Sequence, residues 1–271
     1  MELKEAWVEH RRDGQPMTAF CARPAMVSAP LPAVLVIQEI WGPDAHIVDL
    51  ARRFASAGYV ALAPDLYSRG GRPEELAPER IEEVKRFMDS VPPRVWADPQ
   101  ALRDALQQQP EPVRGRLEAT VGRLFGQRDT EGMVADLVAW VDYLEASPET
   151  RGRPVGSTGY CMGGHLSFEL AARDPRLKVA LVYYGAAPDP ARMDHIQCPV
   201  YGFYGELDPR ITEPVPEVAR AMRERGKTYE YRIYRGARHA FFNDTRAAYD
   251  VEAARDAWAR TLGLFNQYLG S

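Results

Sequence analysis

The spacing of hydrophobic positions changes several times along the chain, and each change predicts a different element. Residues 33–37 form a continuous apolar run, which is typical of a strand buried on both faces. The next stretch has helical composition, starts after Asp44, a residue type that caps helices, and stops at Gly58. Residues 59–63 are a second apolar run, so this part of the chain predicts a β-α-β unit.

The same alternation of apolar runs and amphipathic stretches continues to the end of the chain. Ahead of it, two strand-like segments flank Asp13-Gly14, a pair typical of hairpin turns, which predicts an antiparallel edge. Strands that alternate with helices predict an α/β fold with a doubly wound, mainly parallel sheet and flanking helices. The later predicted strands cover residues 154–158, 179–184, 200–204 and 228–234, and the later helices cover 133–144, 165–172, 215–225 and 254–269.

Residues 72–130 interrupt this alternation. Strand-like runs disappear there, prolines recur, and helical spacing appears only in short stretches. Segments inserted after the carboxyl end of a strand lie above the catalytic residues of such sheets, and this one follows the predicted strand end at Pro64-Asp65. We therefore expect one α/β domain over residues 1–271, with residues 72–130 as a helical insertion that forms a lid and sets substrate choice.

Composition and charge narrow the class of protein. The 271 residues are 45% hydrophobic and 27% charged, with 34 basic and 38 acidic side chains spread along the chain, so no basic stripe indicates a nucleic-acid partner. The first residues are charged rather than apolar, and no run approaches membrane-spanning length, which predicts a cytoplasmic protein with no membrane partner. Three cysteines without CxxC spacing fit a reducing compartment.

The candidate chemistry centres on Gly159-Tyr160-Cys161-Met162-Gly163-Gly164, which stands between a predicted strand and a predicted helix. Small residues two before and two after a central residue permit the strained turn of a nucleophile elbow, and here the nucleophile would be the sulfur of Cys161. A thiol at a helix N-terminus faces unpaired N–H groups that favour thiolate. The alternative for this motif alone is a buried structural cysteine in a glycine-rich turn.

An acid and a base follow at the carboxyl ends of two later strands, where the chemistry of such sheets collects. Asp208 comes just after the strand that ends near Gly205, and His239 lies in the loop after the strand that ends at Tyr234. Nucleophile, acid and histidine in this order are typical of an α/β-hydrolase. His239 would take the proton from Cys161 and return it to the leaving group, while Asp208 orients the ring.

With these residues in place, the sequence resembles the dienelactone hydrolase family of α/β-hydrolases. The resemblance implies a Cys161–His239–Asp208 triad that hydrolyses small esters or lactones through an acyl-thioester, without a cofactor. It also implies a fourth participant, Glu39, whose carboxylate meets the thiol in the resting enzyme. The matching motifs are Gln38-Glu39-Ile40-Trp41-Gly42, Pro64-Asp65-Leu66-Tyr67, the cysteine hexapeptide, Tyr183-Tyr184-Gly185, Gly205-Glu206-Leu207-Asp208 and His239-Ala240-Phe241.

The resemblance also gives candidates for the oxyanion hole and the substrate pocket. The oxyanion donors would be the backbone N–H groups of Met162, the residue after the nucleophile, and Ile40, by family position. Asn243 stands four residues after the histidine, where the archetypal enzymes hold the substrate carboxylate with an arginine, so we expect a pocket for an apolar or bulkier acyl group. The aromatic pocket candidates are Trp41, Tyr183, Tyr184 and Phe241.

Three other interpretations compete with this one. Cys161 and His165 are four residues apart on one helix, but no third or fourth ligand appears at matching spacing, so we predict no metal site. A thiol-redox role would leave the acid and the histidine without a purpose, and no resolving cysteine is evident. A non-catalytic ligand-binding protein on a hydrolase scaffold is the third possibility. A small-molecule ester or lactone is the expected partner, and the protein is expected to be a monomer or a homodimer.

Overall fold

The computed structural model describes residues 1–92 and 94–270, so Pro93, in the predicted insertion, and Ser271 lie outside the described residues. The chain separates into two compact units. The larger unit consists of Met1–Leu66 and the chain from Thr130 onward, and the smaller unit is Tyr67–Asp129. The smaller unit therefore covers nearly the same residues as the predicted insertion.

The larger unit is built on one eight-stranded sheet in the order β1-β2-β4-β3-β5-β6-β7-β8. The pairs β1–β2 and β2–β4 are antiparallel, and all the other pairs are parallel. The prediction of a mainly parallel α/β sheet with an antiparallel edge is confirmed. The strands are β1 (Leu3–Arg12), β2 (Gln15–Pro24), β3 (Ala33–Ile37), β4 (Val60–Pro64), β5 (Val155–Tyr160), β6 (Ala180–Tyr183), β7 (Val200–Gly205) and β8 (Tyr229–Tyr234).

The antiparallel edge forms because Asp13-Gly14 makes the tight turn that the sequence predicts. Both residues have positive φ, 50° at Asp13 and 75° at Gly14, which matches the right-handed twist of the flanking strands. This turn fixes the register, with Arg12 opposite Gln15. The hairpin thus closes one end of the sheet, while β8 forms the other end.

Helices cover both faces of the sheet. Helix α1 begins after Asp44, whose side chain accepts a hydrogen bond of 3.2 Å from the Ile47 N–H, and it ends just before Gly58, as predicted. The four-residue helices α8 and α9 are additions that the hydrophobic pattern does not predict. The helices of this unit are α1 (Ala45–Ser56), α6 (Thr130–Ala146), α7 (Met162–Arg173), α8 (Pro190–Met193), α9 (Pro209–Thr212), α10 (Val215–Glu224) and α11 (Val251–Leu269).

The central strands are buried on both faces because helices pack against each side. A Cβ on Gly156 would meet Phe265 and Leu269 of α11, whereas the neighbouring Ser157 hydroxyl lies 2.8 Å from that of Ser167 in α7. Successive strand residues point to opposite faces, so α11 and α7 lie on opposite sides of the sheet. All residues of β3, β4 and β5 are buried, as the continuous apolar runs of β3 and β4 indicate.

The smaller unit consists of short helices, as the sequence predicts. Its internal contacts include a two-pronged ion pair between Arg116 and Glu83, at 2.6 and 3.0 Å, and an edge-to-face contact between Phe87 and Trp96. Its role as a lid stays a prediction. The elements are a 3₁₀ helix (Glu74–Leu76), α2 (Pro78–Ser90), α3 (Arg94–Ala97), α4 (Pro99–Gln107) and α5 (Val113–Phe125). Within residues 1–92 and 94–270, no helix has both the length and the apolar character that crossing a membrane requires.

Candidate active site

Cys161 lies in the sharp turn between β5 and α7, in the conformation expected of a nucleophile elbow. Its φ of 55° and ψ of −114° are strained for a residue with a side chain. The turn is possible because the flanking glycines touch backbone: a Cβ on Gly159 would lie 1.8 Å from the Gly163 carbonyl oxygen, and one on Gly163 would lie 2.3 Å from that of Ile37. The elbow therefore packs directly against the end of β3 and holds the half-buried thiol at the start of α7.

The structure brings the acid and the histidine together with this cysteine. The His239 ring lies 2.5 Å from the Asp208 carboxylate, measured from Nδ1 to Oδ2, and it is within the electrostatic reach of the Cys161 side chain. The imidazole thus lies close to both the carboxylate and the thiol. The nearby acid Glu206 is engaged elsewhere, because it accepts a hydrogen bond of 2.8 Å from the Gly236 N–H and so stabilises the turn after β8.

The electrostatics of His239 follow from these neighbours. Burial by itself lowers the pKa of the imidazole, since it disfavours the charged form. The nearby Cys161 sulfur and the hydrogen bond to Asp208 outweigh burial, so the pKa of His239 stands well above its ordinary value. The ring is therefore set up to hold a proton beside the sulfur at neutral pH.

Glu39 is a buried carboxylate at the end of β3, with 2% of its surface exposed. The Tyr184 hydroxyl donates to one carboxylate oxygen at 3.1 Å, and the Asn243 side-chain amide donates to the other at 2.8 Å. Burial, followed by the negative charge of Glu39, raises the pKa of Tyr184 well above its usual range, so Tyr184 keeps its proton and remains a donor. Two neutral donors therefore hold this carboxylate in place.

The contacts of Asn243 do not support its predicted role as a substrate-binding residue. Its side chain is fully buried, and its carbonyl oxygen accepts hydrogen bonds from the Thr245 N–H at 3.0 Å and from the Thr245 hydroxyl at 2.7 Å. These bonds fix the orientation of the amide, so that its NH₂ group points to Glu39. Asn243 thus positions Glu39.

Two of the predicted aromatic pocket residues lie in the core. Tyr183 is fully buried, and its hydroxyl bonds to Thr261 at 2.6 Å and to the Ala257 carbonyl at 3.2 Å, both in α11. Phe241 is also fully buried and packs against the ring of Tyr184, 5.6 Å away between centroids. Neither side chain is exposed to solvent in this structure, and their pocket roles stay predictions.

Tyr184 and Trp41 lie nearer to the site. The Tyr184 ring is 5.0 Å from the His239 ring, and this residue has a positive φ of 39° at the end of β6. Trp41 follows Glu39 by two residues, is 9% exposed, and has the guanidinium of Arg246 over its ring at 5.7 Å. A cation over an aromatic face is a favourable contact, and it joins the loop after β3 to the loop after His239.

The candidate oxyanion donors lie just beyond the ends of two neighbouring strands. Ile37 of β3 is paired with Gly159 of β5, and Ile40 and Met162 each lie three residues beyond these partners. Met162 is the first residue of α7, and the first N–H groups of a helix have no acceptor within it. The two residues are therefore placed on adjacent loops at one edge of the sheet.

Sequence reasoning missed a charged cluster that ties the histidine loop to α1. Asp244 lies 3.3 Å from the Nδ1 of the buried His46 and 2.5 Å from the Arg53 guanidinium. Burial raises the pKa of the Asp244 carboxyl, but Arg53 and His46 outweigh this effect and lower it. The helical spacing of His46 and Arg53 was readable from the sequence, but their long-range partner was not.

A metal centre finds no support among the described residues, which contain no group of three or more His, Cys, Asp or Glu side chains placed to hold an ion. His165, the residue paired with Cys161 in the zinc interpretation, is half-buried. Its ring lies 3.1 Å from the Ala186 carbonyl oxygen and 3.7 Å from Glu169. These contacts give it a structural place on α7.

The eight-stranded sheet, with a cysteine elbow after β5, an acid after β7 and a histidine after β8, defines an α/β-hydrolase fold. The family model of the dienelactone hydrolase family matches residues 17–269, and the chain belongs to this family. It is a hydrolase of the dienelactone hydrolase type.

Individual relatives agree with this assignment. A Saccharolobus solfataricus protein named "Putative carboxymethylenebutenolidase" is 37% identical over 250 residues, which cover 92% of this chain and 93% of the relative. An Escherichia coli O157:H7 protein of the same name is 31% identical, over 95% of this chain and 84% of its own. The crystal structure named "Putative Dienelactone Hydrolase" from Klebsiella pneumoniae is 29% identical, with a TM-score of 0.75 over 99% of this chain and 100% of that one.

The two adjacent tyrosines allow a matched test of core and site. Tyr183→Phe should lower the free energy of unfolding by about 1–2 kcal/mol, because the Thr261 hydroxyl and the Ala257 carbonyl of α11 lose their partner, and should leave kcat/KM for a p-nitrophenyl ester unchanged. Tyr184→Phe should lower kcat/KM by about tenfold or more, because Glu39 loses one of its two donors beside His239. Urea unfolding and steady-state kinetics measure both. Equal kinetic losses in the two variants would contradict the placement of Tyr183 in the core.

The raised pKa of His239 gives a second test. Cys161→Ala removes the negative sulfur that stabilises the imidazolium, so the pKa of His239 should fall, while Asp208 keeps part of the effect. In the wild type the imidazolium should persist to a higher pH than in the variant. NMR titration of the histidine ring protons measures this, with Cys21→Ala as a control in a distant strand. An identical His239 titration in wild type and Cys161→Ala would contradict the charge pairing.

Proposed function

We propose that this protein hydrolyses small carboxylic esters or lactones through Cys161, with His239 and Asp208 as its catalytic partners. The observation that carries the proposal is the hydrogen bond between Asp208 and His239 beside a thiol held in a strained elbow. A thiol with a proton-holding imidazole beside it is an activated nucleophile. Membership of the dienelactone hydrolase family supports the same chemistry.

In the acylation step, the Cys161 sulfur attacks the carbonyl carbon of the ester, and a C–S bond forms as the carbonyl oxygen becomes an oxyanion. The N–H groups of Met162 and Ile40 are the proposed donors to this oxyanion. When the carbonyl forms again, the C–O bond to the leaving alkoxide breaks, and His239 gives its proton to that oxygen. The result is an acyl-thioester on Cys161 and a neutral imidazole. In a lactone, the alcohol remains attached to the acyl chain.

In the deacylation step, water replaces the alcohol. The neutral His239 takes a proton from the water while its oxygen attacks the thioester carbon, and the same oxyanion donors serve again. The C–S bond then breaks, which releases the carboxylic acid and restores the sulfur anion beside the imidazolium. Throughout, Asp208 accepts from the Nδ1 proton and so keeps Nε2 directed to the reacting atoms. No cofactor takes part in these steps.

Glu39 is the proposed regulator of the thiol. Tyr184 lies within the electrostatic reach of both Glu39 and Cys161, which indicates that the buried carboxylate and the half-buried sulfur share one environment. A second negative charge in that environment disfavours the thiolate. Tyr184 and Asn243 hold the carboxylate in place, so its charge acts on the sulfur in the resting enzyme.

The preferred substrates in this proposal are esters whose acyl group carries no carboxylate. At the position of Asn243 the chain has an amide whose carbonyl is engaged by Thr245 and whose NH₂ group is engaged by Glu39, so this position supplies no cation for an anionic substrate. We therefore expect neutral, apolar acyl groups to be preferred. The predicted lid function of the helical unit, residues 67–129, belongs to the same proposal.

Loss of the nucleophile or of the acid should stop hydrolysis without unfolding the protein. Cys161→Ala should lower the rate of ester hydrolysis by several powers of ten, because only substrate binding and the oxyanion donors remain. Asp208→Asn should lower kcat by a factor on the order of 10⁴, because His239 is then free to adopt the wrong tautomer. A panel of p-nitrophenyl esters and small lactones measures both losses. Glu206→Gln is the matched control, since this acid follows the same strand but bonds to Gly236.

Near-normal turnover in Cys161→Ala would remove the nucleophile assignment. A loss smaller than about tenfold in Asp208→Asn, together with a large loss in Glu206→Gln, would transfer the role of the acid to Glu206.

Glu39→Gln should make Cys161 react faster with iodoacetamide, because the like charge beside the sulfur is gone. The new amide can accept from Asn243, whose orientation is fixed, and donate to Tyr184, whose hydroxyl can rotate, so the fold should be kept. Labelling rates over a pH series, followed by mass spectrometry, measure the effect. Glu206→Gln again serves as the control, and an unchanged rate and pH profile in Glu39→Gln would rule out the regulatory role.

A further inference from the structure

Strand β8 is the open end of the sheet, with β7 as its one neighbour in the sheet order. The carbonyl groups of Thr228 and Tyr234 accept hydrogen bonds from the β7 side, from Val200 and Glu206, each at 3.0 Å. In a parallel strand, alternate residues direct their N–H and C=O groups to opposite sides. The backbone groups of Tyr229, Tyr231 and Ile233 therefore face the open edge.

The side chains of this edge strand are unusual for a sheet that ends in water. Tyr231 is 40% exposed and Ile233 is 38% exposed, and both stand on the same face as Tyr229, whose ring stacks on Tyr231. The other face carries Glu230 and Arg232, and Arg232 lies 3.1 Å from Asp256 of α11. Proline and charged side chains, above all lysine, usually protect an edge from pairing. This strand contains no proline or lysine, and its two charged residues, Glu230 and Arg232, are opposite in sign.

We propose that β8 pairs with β8 of a second copy of this chain, in antiparallel orientation about a twofold axis at Tyr231. Tyr231 of one copy then faces Tyr231 of the other. Tyr229 of each copy faces Ile233 of the other copy, and Glu230 of each copy faces Arg232 of the other. The residues whose backbone groups face the edge become the hydrogen-bonded pairs of the new ladder. The two eight-stranded sheets join into one continuous sheet.

Charge selects this register. Glu230 of each copy forms a non-hydrogen-bonded pair with Arg232 of the other copy. Side chains come closest in such pairs, so the acid of each copy lies beside the base of the other. A twofold axis at Glu230 would place two acids opposite each other, and one at Arg232 would place two bases opposite each other. Of these three arrangements, the axis at Tyr231 is thus the self-complementary one.

The opposite edge of the sheet lacks this complementarity. Strand β1 has six charged residues among its ten positions when His10 is counted with Lys4, Glu5, Glu9, Arg11 and Arg12. A twofold axis at its exposed Trp7 would place Glu5 opposite Glu9 of the other copy. Like charges directly opposite destabilise a ladder, so β1 is protected where β8 is not.

Space beside the edge also favours the pairing. A groove of about 370 Å³ lies over the ends of the sheet, between α11 and strands β7 and β8. Its lining includes Tyr201 and Phe203 of β7, Glu230 and Arg232 of β8, and Leu264 of α11. The charged face of the strand is therefore accessible.

A charge-swap experiment tests the proposal. Wild-type protein should sediment as a dimer that dissociates on dilution. Glu230→Arg should weaken the dimer by about tenfold or more, because two bases then face each other at both symmetric pairs, and Arg232→Glu should do the same with two acids. The double variant that carries both changes should restore the dimer, since opposite charges face each other again. Glu9→Arg on β1 is the matched control and should leave the dimer unchanged.

Sedimentation velocity over a dilution series measures the association, and circular dichroism checks that each variant is folded. Ester hydrolysis should continue in every variant, because β8 residues 230 and 232 are not part of the proposed catalytic machinery. A wild-type protein that stays monomeric at about 100 μM, well above the Kd of a stable dimer, would overturn the proposal. A dimer that Glu230→Arg leaves intact, or a double variant that fails to restore association, would overturn it as well.

Discussion

The site depends on one close approach, the contact of the first turn of α7 with the ends of β3 and β5. The backbone of Gly163 touches the carbonyl groups of Ile37 and Gln38, and Gly159 touches Gly163, so neither glycine position has room for a side chain. This packing holds Cys161 in a conformation that costs on the order of 1–3 kcal/mol. It also places the loop after β3, with Glu39 and Ile40, beside the sulfur.

The electrostatic arrangement follows from that geometry. A sulfur, an imidazole and two carboxylates share a small volume, and each carboxylate has its own partners: Asp208 bonds to His239, whereas Glu39 bonds to the neutral donors Tyr184 and Asn243. Strong partners prevent the charges from rearranging freely, which is what a preorganised site requires. The contact of Asp244 with His46 and Arg53 extends this control to the loop that carries His239.

Much of the fold was predictable because its signals are local. The apolar runs of β3 and β4 reflect burial on both faces, Asp44 and Gly58 mark the ends of α1, and Asp13-Gly14 marks the hairpin. The order of Cys161, Asp208 and His239 was readable because parallel strands bring their carboxyl ends to one edge. These features need no knowledge of which distant side chains meet.

The remainder depends on tertiary contacts that leave no mark in the sequence. Tyr183 and Tyr184 are adjacent and chemically identical, yet one bonds to Thr261 in the core and the other to Glu39 at the site. Asn243 became a partner of Glu39 only because Thr245 fixes its amide. The pairing of His46 with Asp244 spans 198 positions, so neither periodicity nor motif spacing could indicate it.

The central claim is that catalysis passes through an acyl group on the sulfur of Cys161. The most direct measurement is mass spectrometry of wild-type enzyme quenched in acid during turnover of a p-nitrophenyl ester whose acyl group carries an isotopic label. The account predicts a transient peptide that contains Cys161, is heavier by the labelled acyl group, and loses that group to hydroxylamine as a thioester does. Two results would contradict the account. One is rapid turnover with the label on another residue. The other is rapid turnover with no acylated protein at any quench time and no burst of p-nitrophenol.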